Sequence, residues 1–263
     1  MPEGPEIRRA ADALAAAVVG APLTTVWFDA EALKPNERRL RGRRIEAITP
    51  HGKALLTHFD NGLTLYSHNQ LYGLWRVATA GQWPQTARRL RVALETAERA
   101  ILLYSATDIE IWRSDALHAH PFLARLGPDV LDPNLDAATV AARLQQAPFA
   151  GRALGALLLD QAFLAGLGNY LRVEILWQSR LAPERRPRDL AADERAALAE
   201  AILDLPRRSY ATRGRRGAGH LQDTPFRFRA YERAGQPCPR CAAPLRRRTV
   251  AARPFFDCAR CQT

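Results

Sequence analysis

Four cysteines near the C-terminus constrain the fold of this chain more than any other feature. They form two Cys-x-x-Cys pairs, Cys238-Pro-Arg-Cys241 and Cys258-Ala-Arg-Cys261, with sixteen residues between them. Two such pairs can place four thiolates around one tetrahedral ion, and a closed four-sulfur site leaves no coordination position for a reacting water. The spacing therefore predicts one structural Zn²⁺ in a small C-terminal module and no catalytic metal.

The 237 residues that precede Cys238 contain no cysteine, and clustered thiols of this kind are typical of a reducing compartment. The N-terminus lacks the apolar run of a secretory signal. The most apolar stretch, residues 153–171, is interrupted by Asp160, Gln161 and Asn169, which disfavours a membrane span and favours a pair of buried helices. We expect a cytoplasmic protein of a bacterium that makes no contact with a membrane.

The charge of the chain indicates a phosphate-rich partner. Its 38 basic residues against 27 acidic ones give a formal net charge of +11, and only Lys34 and Lys53 are lysines, so 36 are arginines. Arginine is a permanent cation whose planar fork fits phosphate. Nucleic acid is therefore the expected partner. An acidic membrane surface is the weaker alternative, because the chain has no long amphipathic helix with a lysine-rich face.

The first half of the chain reads as a helix followed by β-strands. Apolar residues such as Ile7, Leu14 and Val18 fall on one helical face within residues 3–19, and Gly20 is a natural stop. Short β-type runs then continue to about Trp112, which suggests a sandwich or a barrel. The predicted strands are residues 23–28, 44–48, 54–59, 63–67, 74–77, 90–95 and 100–104.

Two prolines in residues 126–133 mark a boundary, after which the pattern becomes helical. Helices are predicted at 135–146, 152–165, 169–181 and 188–204, and the backbone amides that begin the third helix could bind an anion. Residues 212–225 are rich in glycine and arginine and predict a mobile loop. The expected division is a β-sandwich catalytic domain (1–125), a linker (126–133), a helical domain (134–225) and a zinc-finger hairpin (226–263).

The N-terminal sequence Met-Pro-Glu-Gly-Pro-Glu has two explanations. Proline and acidic residues suit the first turn of a helix, and composition alone favours this structural explanation. Removal of Met1, however, would expose the secondary amine of Pro2, which is partly neutral near pH 8. That amine could attack C1′ of a deoxyribose and form an iminium ion, with Glu3 moving protons beside it.

Two further cations are candidates for chemistry. Lys53 opens a predicted strand, where a lysine is usually only solvated, but in an arginine-rich chain it can mark a need for an ammonium donor of adjustable pKa. Arg253 lies near the predicted tip of the zinc-module hairpin, where it could enter a groove or an active site. For Arg246–Arg248, a solvated face and contact with DNA are equally good explanations.

Several motifs in order along the whole chain resemble the formamidopyrimidine-DNA glycosylase family. They are Pro2-Glu-Gly-Pro-Glu6, His51-Gly-Lys53, Gly166-Leu-Gly-Asn-Tyr170, and the four-cysteine module with Arg253. MPEGPEIRRA at the start, LYSHNQLYG at 65–73 and FLAGLGNYLRVEILWQ at 163–178 are similar to its pyrimidine-preferring branch.

The resemblance implies an α+β multidomain fold. It would consist of an N-terminal β-sandwich with flanking helices, a C-terminal helical domain with a helix-two-turns-helix motif, and a four-cysteine zinc finger, with DNA between the two main domains. The implied activity is that of a bifunctional DNA glycosylase and AP lyase of base excision repair. Such an enzyme removes oxidised pyrimidines from double-stranded DNA, acts on abasic sites, and leaves 3′ and 5′ phosphates by β,δ-elimination. The implied enzyme is a monomer without an organic cofactor.

The resemblance also assigns roles to residues at matching positions. Pro2 would be the nucleophile that forms the Schiff base, and Glu3 the general acid. Lys53 would serve β-elimination and Arg253 δ-elimination. The implied DNA-binding residues are Gln70, Leu71 and Tyr72, which fill the gap left by the extruded nucleotide, together with Arg125 and Asn169; Glu6 would support the sugar. Loop 212–225, where contacts to the damaged base are expected, gives no residue-level prediction.

Two alternatives remain at this stage. A purine-preferring sister enzyme is disfavoured by the start PEGPEI and by Gln70-Leu-Tyr72. A non-catalytic zinc-ribbon protein that binds DNA would explain the charge and the cysteines, but not Pro2 and Glu3 together with Lys53.

Overall fold

The computed structural model describes residues 2–213 and 226–263 of the 263-residue chain. The predicted loop 212–225 lies outside the described residues from position 214 onward. The chain forms two compact units. The first contains Pro2 and Glu6–Ala124, and the second contains Glu3–Pro5 and Arg125–Thr263. The finer division into catalytic domain, linker, helical domain and hairpin stays a prediction.

The first unit is a β-sandwich of two four-stranded antiparallel sheets. The strands are β1 (Thr25–Phe28), β2 (Ile45–His51), β3 (Ala54–Phe59), β4 (Leu63–His68), β5 (Leu74–Thr79), β6 (Leu90–Glu95), β7 (Arg99–Tyr104) and β8 (Asp108–Arg113). One sheet has the strand order β1-β6-β7-β5 and the other the order β2-β3-β4-β8. One continuous apolar core joins both sheets, which confirms the predicted sandwich.

Helix α1 (Gly4–Val18) closes this core with one apolar face. Ile7, Leu14 and Val18 are buried at the helical spacing that the sequence shows. The chain then reverses at Gly20, whose φ of 84° is accessible to glycine at little cost. The predicted helix is confirmed to within a residue at each end.

The sequence did not predict two elements of the first unit. Helix α2 (Pro35–Leu40) is only six residues long. Strand β8 is an edge strand of its sheet, and its residues Asp108–Arg113 alternate apolar with polar side chains. Because only Ile109 and Ile111 reach the core, the strand has a weaker apolar signal than its buried neighbours.

The second unit is helical and includes a two-stranded hairpin. Its helices are α3 (Ala137–Leu144), α4 (Ala147–Ala150), α5 (Leu154–Leu157), α6 (Asn169–Gln178) and α7 (Ala192–Thr212), and its strands are β9 (Arg246–Val250) and β10 (Arg253–Asp257). Phe255, Phe256 and Cys258 belong to the same apolar core as α6 and α7. The hairpin module is therefore packed into the helical unit.

The predicted helix at 152–165 is wrong. Only Leu154–Leu157 is helical, and the chain then turns because the carboxylate of Asp160 accepts a hydrogen bond from the Ala162 amide (2.8 Å). Apolar composition correctly indicated burial here, but it could not distinguish a helix from buried turns. The last helix also lies later than predicted, at Ala192–Thr212 instead of 188–204. None of the helices in the described ranges is long and apolar enough to cross a bilayer.

Candidate active site

The carboxylate of Glu3 is fixed at the N-terminal end of α6. Glu3 is almost fully buried, and it accepts hydrogen bonds from the backbone amides of Tyr170 (2.8 Å) and Leu171 (3.2 Å). Amides in the first turn of a helix have no partner within the helix, and the helix dipole favours a negative charge there. The predicted anion-binding helix end is therefore occupied by the protein's own Glu3.

Glycines in the turn before α6 create the space for this contact. A Cβ atom added at Gly168 would lie 2.2 Å from Cδ of Glu3, and one added at Gly4 would lie 3.1 Å from Cα of Gly166. The amide of Gly4 donates to the carbonyl of Gly166 (2.8 Å). Gly166-Leu-Gly168 thus lets the backbone of residues 3 and 4 lie directly against the turn, which holds Glu3 in one place.

The hairpin of the four-cysteine module, β9 and β10, meets the same end of α6. The Asn169 side-chain amide donates to the carbonyl of Pro254 (2.9 Å), while its oxygen accepts from Arg172 (2.6 Å). Val250 pairs with Arg253 across the two-residue turn Ala251-Ala252. Arg253 is therefore the first residue of β10, directly after the tip, and its side chain is exposed.

Lys53 occupies a hairpin turn at one edge of the first unit's second sheet. The turn joins β2 to β3, and Gly52 has a φ of 60°, as the first central residue of a type II′ turn requires. Lys53 is half-buried. Burial lowers the pKa of the nearby His68. The charge of Asp108 raises that pKa, and the charge of Lys53 contributes a smaller lowering.

The predicted gap-filling loop, Gln70–Tyr72, is held in a tight turn directly after β4. Gln70 has a φ of 48°, and its backbone amide donates to Nδ1 of His68 (3.1 Å). Its side-chain oxygen accepts from the Thr107 hydroxyl (3.0 Å). Leu71 and Tyr72 remain 56% and 67% exposed. Large apolar side chains held in solvent by a rigid turn have the form of a wedge that inserts between bases.

The remaining predicted site residues are Pro2, Glu6 and Arg125. Pro2 is half-buried in the first unit, Glu6 lies in the first turn of α1 and accepts from Arg9 (2.8 Å), and Arg125 is exposed at the end of a short 3₁₀ helix in the second unit. The structure thus brings Glu3, Asn169 and the Arg253 hairpin together at α6, and Lys53 together with the gap-filling loop.

Sequence reasoning missed two residues of these clusters, His68 and Arg172. Both lie inside motifs that support the family resemblance, LYSHNQLYG and GLGNYLRVEILWQ. A histidine at the end of a buried strand and an arginine inside a buried helix were the available signals.

The four cysteines meet as predicted. Their sulfur atoms all lie within 4.8 Å of one another, and Cys241 Sγ is 3.5 Å from Cys258 Sγ. A disulfide needs about 2.05 Å, whereas a tetrahedral site with metal–sulfur bonds of about 2.3 Å gives sulfur–sulfur distances of about 3.8 Å. The cluster therefore fits a metal ion and not a pair of disulfides.

Comparison with known proteins gives matches over the whole chain. Residues 1–107 match the formamidopyrimidine-DNA glycosylase N-terminal domain, and residues 126–216 match the H2TH domain of the same family. Endonuclease 8 of Escherichia coli O17:K52:H18 (strain UMN026) is 56% identical over 262 residues, and Endonuclease 8 of E. coli K12 (strain DH10B) is 55% identical, each with complete coverage of both chains.

Solved structures show the same fold at lower identity. Fpg (MutM) of Lactococcus lactis in complex with DNA containing N7-benzyl-Fapy-dG superposes with a TM-score of 0.82 at 22% identity, covering 99% of both chains. A complex of L. lactis Fpg with abasic-site DNA gives a TM-score of 0.84 at 23% identity, with the same coverage.

These relationships define the class of the protein as a DNA glycosylase with AP lyase activity, acting in base excision repair. The chain belongs to the formamidopyrimidine-DNA glycosylase family, in the branch of the relatives named Endonuclease 8.

A methyl group at position 168 tests the placement of Glu3. In Gly168→Ala, the added Cβ occupies the position of the Glu3 carboxylate, so we expect the single-turnover rate of base excision to fall by about 100-fold, as displacement of a catalytic group by about 1 Å can cause. Gly151→Ala is the matched control, because its added Cβ would meet only Arg188, at 3.7 Å. Equal rates in the two variants would contradict the placement of Glu3.

The contact between His68 and Gln70 predicts a pH dependence. Nδ1 of His68 must be deprotonated to accept from Gln70, and the pKa of His68 is lowered, chiefly by burial. A folded-state pKa below the unfolded value of about 6.5 gives a stabilisation that is present above pH 6.5 and lost as the pH falls through the folded-state pKa. We expect the urea midpoint to decrease more between pH 7.5 and 5.5 in the wild type than in His68→Gln. Equal decreases would contradict a lowered pKa of His68 in the folded protein.

Proposed function

We propose that Pro2, once Met1 has been removed, is the nucleophile of this enzyme and that oxidised pyrimidines are its lesions. The proline nitrogen attacks C1′, and the glycosidic bond breaks with its electron pair on the base. The amine proton passes through Glu3 to the departing base. Cleavage of the C1′–O4′ bond, with a proton taken up by O4′, then gives an iminium ion between Pro2 and the opened sugar.

The iminium ion is an electron sink for two eliminations. Loss of the C2′ proton and breakage of the C3′–O bond release the 3′ phosphate, and loss of the C4′ proton with breakage of the C5′–O bond releases the 5′ phosphate. Water then hydrolyses the iminium ion, which frees Pro2 and an unsaturated aldehyde. DNA is left with a one-nucleotide gap that has phosphate at both ends.

The observation that carries this proposal is the contact of Glu3 with α6. Glu3 directly follows Pro2 in the chain, and its carboxylate is fixed by the amides of Tyr170 and Leu171. A carboxylate that is buried, preorganised and adjacent to the nucleophile is suited to proton transfer.

Lys53 and Arg253 have the properties that the two eliminations need. Lys53 is half-buried in a turn, and an ammonium group there can supply a proton during β-elimination. Arg253 is exposed beside a hairpin tip, and its guanidinium can stabilise the charge that develops on the phosphate leaving in δ-elimination.

The proposed partner is double-stranded DNA that contains an oxidised base or an abasic site. Extrusion of a nucleotide costs a few kcal/mol, and a wedge that fills the vacancy offsets part of this cost. Gln70, Leu71 and Tyr72 form that wedge, while Arg125 and Asn169 contact the DNA backbone and Glu6 supports the sugar. The net charge of +11 and the DNA complexes of L. lactis Fpg support this partner. We further propose that the enzyme is a monomer in the bacterial cytoplasm.

We propose that the cysteine cluster holds one structural Zn²⁺. Cys238, Cys241, Cys258 and Cys261 supply four sulfur ligands and leave no position for a substrate. The ion's contribution is to fold the hairpin module that carries Arg253. The proposed chemistry requires no organic cofactor.

Borohydride reduction tests the nucleophile. Mixed with abasic DNA and borohydride, the native enzyme should form a stable covalent adduct whose crosslinked peptide begins at Pro2, because reduction converts the iminium ion to an amine. An enzyme that carries one extra residue before Pro2 is the control and should form less than about 1% of that adduct, since its proline nitrogen is an amide. Equal adduct in both proteins would exclude Pro2.

A panel of duplexes with single lesions tests the substrate class. We expect excision of thymine glycol and dihydrouracil at least about 10-fold faster than excision of 8-oxoguanine opposite cytosine, a difference of about 1.4 kcal/mol in transition-state binding. Faster excision of 8-oxoguanine would instead establish the purine-preferring alternative.

A further inference from the structure

Arg172 is a fully buried cation at the junction of α6 and the zinc-module hairpin. Its side chain is among the largest that the described residues bury completely, with 0% exposure. One terminal nitrogen donates to the carbonyls of Gly155 (2.8 Å) and Val250 (3.1 Å). The other donates to Asn169 Oδ1 (2.6 Å) and lies 3.5 Å from the carbonyl of Pro254. A charge is costly to bury, so these contacts must be maintained for the site to persist.

Two of the carbonyl acceptors lie on either side of the hairpin turn. Val250 ends β9, and Pro254 follows Arg253 in β10. The guanidinium also lies over the ring of Phe255, 5.1 Å from its centroid. Arg172 therefore contacts the chain on both sides of Arg253, at Val250 and at Pro254, while its own side chain stays buried.

The turn that Arg172 spans is strained. Ala251 and Ala252 have φ values of 49° and 58°, a left-handed conformation that a two-residue type I′ turn requires and that alanine disfavours. Asparagine and glycine are the residues that adopt it readily. Because alanine at both positions disfavours the left-handed conformation, packing and the hydrogen bonds from Arg172 must stabilise the turn.

The charged groups near Arg172 agree with a structural role for its guanidinium. Burial, and then the charge of Arg253, lower the pKa of Arg172 to about 10, and Glu3 acts in the opposite direction. Arg172 therefore stays protonated at neutral pH and lies within electrostatic range of both. Its lack of exposed surface excludes direct contact with a DNA phosphate.

We propose that Arg172 is a positioning residue. Its hydrogen bonds hold the hairpin turn against the N-terminal end of α6 and so fix Arg253 for δ-elimination. This inference rests on the role proposed above for Arg253. Arg172 acts on the second elimination through the hairpin, whereas formation of the iminium ion at Pro2 does not require it.

The test is the substitution Arg172→Lys, which keeps the charge near Glu3 but replaces the planar fork with a single ammonium group. On abasic-site DNA, we expect the ratio of δ- to β-elimination product to fall about 10-fold, while the borohydride-trapped adduct changes less than about 2-fold. Hydrogen exchange at the amides of residues 249–253, 255 and 256 should become faster. Arg143→Lys is the matched control, because Arg143 also donates to two carbonyls of the second unit, those of Phe163 and Ala162, but not to the hairpin.

Two further variants separate positioning from general damage. In an Arg253→Ala background, Arg172→Lys should lower δ-elimination no further. Adding Ala251→Asn and Ala252→Gly to Arg172→Lys should restore at least half of the product ratio, because these residues favour the turn. An unchanged product ratio in Arg172→Lys, or an equal fall in Arg143→Lys, would overturn the proposal. Absence of the trapped adduct in the wild type would instead refute the role of Pro2.

Discussion

The contact between the Glu3 carboxylate and the first amides of α6 is the interaction on which the candidate active site depends. It satisfies two backbone donors that the helix cannot satisfy itself, and it places a negative charge at the positive end of the helix dipole. The same contact fixes the residue that follows the proposed nucleophile. One interaction thus serves both the stability of the second unit and the position of the chemistry.

The N-terminal end of α6 organises a second set of groups through Asn169 and Arg172. Both bond to the hairpin that carries Arg253, and the cysteine cluster holds the base of that hairpin. In the first unit, Lys53 and the loop Gln70–Tyr72 lie at the end of the sheet where β3 begins and β4 ends. Each unit therefore presents its candidate residues from turns that are fixed by a packed scaffold, which is where catalytic residues are often found.

The sequence predicted local features well where one physical rule dominated. The face of α1 followed from apolar spacing and the sulfur cluster from Cys-x-x-Cys spacing. The succession of short strands predicted a sandwich or a barrel, and the family resemblance favoured the sandwich that the structure shows. The helix proposed at 152–165 was wrong, because burial without a clear period also suits turns. The sequence did not predict the roles of Arg172 and His68. Arg172 donates to the carbonyl of Val250, 78 residues further along the chain, and His68 accepts from the amide of Gln70, two residues away. Only the folded backbone shows that these groups meet. The roles of Pro2, Lys53 and Arg253 came from family resemblance and stay proposals.

Hydrogen exchange at the start of α6 tests the central contact most directly. The amides of Tyr170 and Leu171 should exchange at least about 10-fold faster in Glu3→Ala than in the wild type, while Ile175, deeper in the helix, is unchanged. Glu6→Ala, which removes a carboxylate that accepts from Arg9 within α1, should leave all three amides as they are in the wild type. Equal protection of Tyr170 and Leu171 in the wild type and in Glu3→Ala would contradict the account, because these amides would then not depend on the Glu3 carboxylate.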